Sequence, residues 1–264
     1  ILTAQIVEKT EDEKFSDVYE ILLGGEISLA IKEWDAENKA SAGDFIGGYH
    51  GDENLTKVSL VLDGNREIQL LNGTEGFYNC TTADFKQESI INRCHTPDED
   101  VMKHIQHYLV DTNGIKLLQQ VEWLVDDFTT SSGQTYLQMF TLCRTNPANK
   151  SEYLTTVLNV LDEDGKAIIE NVDLTDDRFN GGSSVDLDKS PDARYAEYLG
   201  EEKGIYAKAG FQFVDDSCRL NYAFVSVRTN GDSKWYPSFG GVTPSEGDVW
   251  TINSIYYIDY NPKG

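Results

Sequence analysis

Apolar and polar residues alternate along most of this chain in short runs, and turn-forming residues close nearly every run. A period of two belongs to β-strands with one covered face. In "KVSLVLDGNREIQLLNG" the pair Asp63-Gly64 separates two such runs. "VMKHIQHYLVDTNGIKLLQQVEWLV" repeats the design around Asn113-Gly114, and "YLTTVLNVLDEDGKAIIENVDL" repeats it around Asp164-Gly165. Asp-Gly and Asn-Gly supply the positive φ of tight hairpins, so each pair predicts two antiparallel strands. "GIYAKAGFQFVDD", "RLNYAFVSVRT" and "DVWTINSIYYIDY" continue as strands rich in Tyr, Phe, Val and Ile. Between the halves, the Gly/Ser/Asp-rich stretch "DRFNGGSSVDLDKSPDARYAEYLGEEKG" reads as a long loop near 174–203, with one short helix started after Pro191. No fixed-period repeat is present. The expectation is an all-β chain: one antiparallel β-sandwich of jelly-roll type over residues 1–264, with at most one short helix.

Alternation also assigns faces. Between 101 and 110, Met102, His104, Gln106, Tyr108 and Val110 share one face, while Val101, Lys103, Ile105, His107 and Leu109 share the other. On the partner strand Gln120 and Glu122 share a face, opposite Gln119 and Trp123. A turn centred on Asn113-Gly114 sets His107 opposite Gln120 and Tyr108 opposite Gln119. Polar side chains thus recur on both faces. Such a sheet can line a concave sugar site, where aromatic rings cover C–H patches while amides and guanidinium groups bond hydroxyls and carboxylates. It can equally be a solvated sheet face. "YLQMFTLCR" adds Gln138 and Arg144 to the candidate surface.

Composition narrows the partners. A chain of 264 residues with 39% hydrophobic and 11% aromatic content can build a large core. Its net charge of −23, from 45 acidic against 22 basic residues, repels phosphate backbones and anionic membranes. An acidic ligand therefore requires Lys and Arg gathered locally. No run of about 18 apolar residues exists to span a bilayer, and "ILTAQIVEKTEDEKFSD" lacks the pattern of a signal peptide. Beginning at Ile1, the chain reads as a processed or excised piece of something longer. Cys80, Cys94, Cys143 and Cys218 form no C-x-x-C pair, which removes zinc ribbons and thioredoxin-like sites. Cys80 and Cys94 either close a disulfide across one loop or stay as reduced thiols. Sequons at Asn54, Asn72, Asn79 and Asn149 suit a secreted protein and arise equally by chance in an Asn- and Thr-rich chain.

The sharpest local feature is "DFIGGYHGDENL", where Gly47, Gly48 and Gly51 surround Tyr49 and His50. Clustered glycines let a ligand approach the backbone, and His50 titrates near neutrality. The competing reading is a bulged turn whose Asp52 and Glu53 are solvated. His95, beside Cys94 and Pro97, lies in a loop. No metal or organic cofactor is expected: "DEDG" lacks the rest of an EF-hand, although "DLTDDRFNGG" is compatible with a structural calcium ion. A Ser/His/Asp triad has no G-x-S-x-G to carry it, and acidic residues are too numerous for any pair to signal glycoside hydrolysis.

"GIYAKAGFQF", residues 204–213, resembles the Y-F-K-A-G-x-Y-x-Q strand of jelly-roll alginate lyases, matching at Tyr206, Lys208, Ala209 and Gly210. The family's second, catalytic tyrosine falls on Gln212 and its closing glutamine on Val214, and its R-x-E-L and Q-[IV]-H motifs have no counterpart. The cadence of "FIGGYHGDE", "KHIQHYLVDTNGIKLLQQVEW" and "GDVWTINSIYYIDY" is similar to β-rich domains of phage tail or secreted bacterial proteins. The lyase resemblance implies β-elimination at a uronic acid, which needs a carboxylate neutraliser, a base and an acid. By chemical type Arg144 or Gln106 suits the first role, His50 or His104 the second, and Tyr49, Tyr108 or Tyr206 the third; Lys208 stabilises charge, and Gln120 and Gln212 bind sugar. The alternative is a non-catalytic glycan- or receptor-binding module of a phage tail or adhesin, and a third reading is a structural β-domain. The expected partner is a polysaccharide or cell-surface glycan, met outside the cell or on a virion, by a chain that is compatible with homo-oligomerisation.

Overall fold

The computed structural model describes residues 2–6, 27–47, 53–70, 76–142, 154–180, 183–227 and 233–260. In chain order the first half supplies β1 (Leu2–Ile6), β2 (Ile27–Asp35), β3 (Ala40–Ile46), β4 (Glu53–Leu62), β5 (Arg66–Ile68), β6 (Gly76–Cys80), β7 (Ala83–Arg93), β8 (Thr96–Asp111) and β9 (Gly114–Trp123). The second half supplies β10 (Thr130–Leu142), β11 (Val157–Leu161), β12 (Ala167–Asp173), β13 (Val185–Asp186), β14 (Tyr195–Gly200), β15 (Ile205–Phe213), β16 (Tyr222–Val227), β17 (Ser233–Ser238) and β18 (Val249–Tyr260). A large sheet runs β12-β11-β14-β15-β18-β9-β8-β7-β4-β5, a smaller one runs β13-β16-β17-β10-β2-β3, and β1 pairs with β6 apart from both.

Residues of both sheets meet in one apolar cluster, with Trp123, Tyr198 and Phe211 from the large sheet against Leu29, Ile31 and Trp235 from the smaller. This is the antiparallel all-β sandwich that the alternation predicts. Trp123 meets Trp250 edge-on with ring centroids 5.0 Å apart, and Phe211 meets Phe239 edge-on at 5.8 Å. Among the described residues, no helix is long and apolar enough to cross a membrane.

The three predicted hairpins form. Asp63 and Gly64 take φ of 52° and 71°, the pair of positive values that matches strand twist. In the β8–β9 hairpin Asp111 pairs with Gly114, so the two loop residues are Thr112 and Asn113. The turn is centred one residue earlier than Asn113-Gly114 suggests. His107 accordingly lies opposite Leu118 rather than Gln120, and Tyr108 opposite Leu117 rather than Gln119. The shift of two preserves parity, so the face assignments from Met102 to Val110 stand, whereas Val101, expected on the face away from Met102, is buried in the core as Met102 is.

The stretch after Pro191 departs from expectation. Tyr195–Gly200 is β14, hydrogen-bonded between β11 and β15 in the body of the large sheet. Ala196 and Tyr198 point inward opposite Ala209 and Ala207, and this alternating burial outweighs the helix-start signal of the proline. The helical turn described in the region between 174 and 203 is a short 3-10 segment, Asp177–Asn180. At the sheet margins β5 has three residues, and β12 carries a bulge with Asn171 at φ 55°, its N–H donated to Asn159 Oδ1 at 2.8 Å.

Cys80, Cys94 and Cys218 are free thiols, so the disulfide alternative does not hold in this fold. Cys80 is buried at the end of β6, whereas Cys94 sits in the β7–β8 turn and its Sγ accepts the Asp44 N–H at 3.2 Å. Cys143 lies outside the described residues. Burial, reinforced by the negative charge of Asp215, pushes the Cys218 thiol from 9.0 up to about 12. A thiol held protonated in the fold favours the folded chain less and less as pH rises past the unfolded value. Iodoacetamide should therefore leave Cys218 unmodified at neutral pH, and the wild type should lose stability relative to Cys218→Ala between pH 9.0 and about 12, measured by urea unfolding.

Candidate functional site

The predicted stripe on β8 exists, and it points into the sandwich. His104 is 1% exposed and Tyr108 0%, with Gln106 and Gln119 also buried. His104 Nδ1 lies 2.7 Å from Glu53 Oε1, and the Ser89 hydroxyl donates to the same carboxylate oxygen. Gln119 Nε2 lies 2.7 Å from His104 Nε2; with that amide donating, the imidazole Nδ1–H faces Glu53. Beside this chain Gln87 Nε2 donates to Gln106 Oε1 at 2.5 Å, and Gln106 Nε2 donates to the Tyr108 hydroxyl at 2.8 Å. Buried polar groups must find partners because water cannot serve them. Most of these groups find theirs in one another, while the Gln119 Oε1 is left without a hydrogen-bond partner.

Glu53 is therefore an interior residue, not a solvated one. The sequence hides this: alternation counted from Leu60 and Leu62 puts Glu53 on the opposite face, and the bulge between Leu55 and Lys57 turns it inward. Tyr49, His50 and Arg144 lie outside the described residues, as does Asp52. Gly47, at the start of the glycine stretch, has φ 88°, and a Cβ there would come within 2.3 Å of Leu29 Cδ2. Its glycine is a packing requirement under β2.

Removing one partner of a buried hydrogen-bonded pair leaves the other's polar atoms unsatisfied. Glu53→Leu and His104→Ala should each lower stability by about 1–3 kcal/mol. The double variant should cost clearly less than the sum, read from urea midpoints of the four proteins.

The other predicted residues occupy the opposite, outer face of the large sheet. Tyr206, Lys208 and Gln212 alternate with the buried Ala207, Ala209 and Phe211 on β15. Gln120 lies on the same outer face two strands away, with its Nε2 3.4 Å from Thr251 Oγ1. β14 completes the patch. Tyr195 stands opposite Gly210, where a Cβ would come within 2.1 Å of its ring, so the glycine lets the ring lie down on the sheet. Lys208 Nζ sits 4.4 Å from the centre of that ring, a cation–π contact, and Gln212 Nε2 donates to the Tyr195 hydroxyl at 3.0 Å.

Next to it, the Tyr206 hydroxyl donates to Glu197 Oε1 at 2.9 Å, and Asn159 Nδ2 donates to Glu197 Oε2 at 2.9 Å. Tyr206 and Tyr257 are both half-buried, with ring centroids 5.9 Å apart. Burial first, and then the hydrogen bond and charge of Glu197, hold the Tyr206 phenol well above its ordinary pKa. It stays protonated near neutrality and acts as a donor, not as a base. The patch offers two partly open aromatic rings, an ammonium and an exposed amide on a rigid sheet. Glu197 and Tyr195 were hidden from sequence reasoning because they fall in the stretch that reads as a loop.

Among the described residues, no group of His, Cys, Asp or Glu is gathered as a metal site. The sequence matches no family model and no curated protein. Solved structures with a similar trace include a protein from Synechocystis sp. PCC 6803, 10% identical over 97% of this chain and 100% of that one, with a TM-score of 0.39. A galactose mutarotase-like protein from Clostridium acetobutylicum is 10% identical over 89% of this chain and 80% of its own, with a TM-score of 0.41. The GH36 α-galactosidase AgaA from Geobacillus stearothermophilus is 10% identical, with a TM-score of 0.44; the alignment covers 89% of this chain and 30% of the galactosidase.

Proposed function

We propose that the protein is a non-catalytic glycan-binding β-sandwich whose site is the outer face of the large sheet around Tyr206, Lys208 and Tyr257. The observation that carries this reading is the partition of the candidate residues by the sheet. His104, Gln106 and Tyr108 are enclosed with one another, while Tyr206, Lys208 and Gln212 gather on the far side. β-Elimination at a uronic acid needs neutraliser, base and acid within reach of one sugar ring. Among the described residues the imidazole of His104 and the ammonium of Lys208 lie on opposite sides of one sheet, and Tyr206 is held protonated. Binding needs only what the outer patch has: rings for the C–H faces of a sugar, and Lys208 and Gln212 for its hydroxyls and carboxylates.

The test is calorimetric titration with alginate oligosaccharides, together with an ultraviolet assay for the unsaturated uronate that a lyase releases. Tyr206→Ala or Lys208→Ala should weaken binding about tenfold, equivalent to about 1.4 kcal/mol. Tyr206→Phe, which keeps the ring, should retain most of the affinity. No unsaturated product should form. Product formation lost in Tyr206→Phe would instead identify a lyase at this face, and unchanged binding in both Ala variants would overturn the reading.

A further inference from the structure

The smaller sheet carries a second aromatic cluster outside the proposed site, with Ala30, Tyr136 and Phe224 buried at its centre and Phe45, Tyr222 and Tyr236 partly open around them. Along β2, Leu29 and Ile31 belong to the common core, whereas Ala30 between them belongs to a separate cluster with Tyr136 and Phe224. Strand alternation places that cluster on the outer face of the smaller sheet, on the far side of the sandwich from Tyr206 and Lys208. Its rings form a connected zigzag. Phe45 and Tyr136 lie 6.3 Å apart by ring centroids, Tyr136 and Tyr236 lie 5.0 Å apart, Tyr236 stacks on Phe224 at 5.1 Å and 14°, and Phe224 is 6.0 Å from Tyr222. The rings come from β3, β10, β17 and β16, and the row passes over Ala30 of β2 between the first two. Phe45, Tyr222 and Tyr236 remain half-exposed.

Each end of the row carries a lysine. Lys32 Nζ lies 4.7 Å from the centre of the Phe45 ring, and Lys189 Nζ lies 4.9 Å from the centres of both Tyr222 and Phe224. Neither lysine pairs with a carboxylate among the described residues. Asp186, at the margin of this face, is one nearby acid, its charge reaching Tyr136, and the exposed Asp188 precedes Lys189 in the chain. In a chain of net charge −23, Lys32 and Lys189 set two ammonium groups at the ends of one aromatic row. Local positive charge against an opposing overall field selects an anionic occupant. A row of tilted rings, with Phe45, Tyr222 and Tyr236 partly open and cations at its ends, suits a polymer with apolar ring faces and regularly spaced carboxylates, which describes an acidic polysaccharide.

We propose that this row is a second glycan-binding face, selective for acidic chains, so that one protein molecule bridges two polysaccharide chains from opposite sides of the sandwich. The proposal rests on the glycan-binding reading of the first face. Titration with alginate oligosaccharides should give two sites per molecule, and light scattering with long alginate should show cross-linking. The paired variant Lys32→Ala/Lys189→Ala, whose side chains are at the surface and whose thermal midpoint should be unchanged, should leave one site and abolish cross-linking. Tyr206→Ala should remove the other site and abolish cross-linking as well. Neutral cello-oligosaccharides should bind the second face at least tenfold more weakly than alginate fragments, because they cannot meet the lysines. A single site, lost in Tyr206→Ala and untouched by the lysine variant, would overturn the second face and leave the first intact. A single site lost only in the lysine variant would overturn bridging and the first face together. No binding by the wild type would overturn both readings.

Discussion

The large sheet has one face against the core and the other in water, and every functional possibility on its strands is subject to that division. A side chain on β8 or β15 cannot choose its side, because alternation fixes it and a one-residue slip would turn the whole hydrophobic set outward. His104 and Lys208 are thus separated by the sheet's own backbone whatever their chemistry would favour. The same rule gathers Tyr206, Lys208 and Gln212, spaced two apart, on one outer surface. In the smaller sheet it places Ala30 and Tyr136 away from Leu29 and Ile31.

Parity alone leaves registers two residues apart equally acceptable, and the buried polar residues distinguish them. In the observed β8–β9 pairing Gln119 lies opposite Gln106 and one step from His104, so its amide reaches the imidazole. Shifted by two, Gln119 would lie opposite Tyr108, leaving His104 Nε2 in the interior beside apolar side chains. The apolar faces would still match, but a polar atom would be stranded, at a cost of about 1–3 kcal/mol. The Glu53–His104–Gln119 chain can therefore specify alignment even where its net contribution to stability is modest.

Much of this architecture was legible in the chain. The Asp-Gly and Asn-Gly hairpins announced themselves, and the shared face of His104, Gln106 and Tyr108 followed from spacing. Which face was inner did not follow, because polar residues occur on both sides of β8 and burial is decided by strands remote in sequence, such as β2 and β10. The Asn113-Gly114 turn misplaced the register because Gly114 serves as the first residue of β9, with φ 118° and no room for a Cβ beside the Tyr256 carbonyl at 2.4 Å. β14 was mistaken for loop and helix because a central strand of small and aromatic residues borrows its stability from neighbours. The aromatic row on the smaller sheet has no local signature: its five rings come from four strands gathered, with β2 between β10 and β3, by tertiary structure.

The margins of the large sheet have a consequence for the behaviour of the protein in concentrated solution. A ten-stranded sheet ending in long, flat strands would offer bare N–H and C=O groups to any neighbouring chain. Here one end closes with the three residues of β5, and the other with β12, where the bulge at Asn171 turns an amide back onto Asn159. Both borders are poor templates for further strand addition, so the sheet can be extensive without inviting runaway polymerisation into fibres.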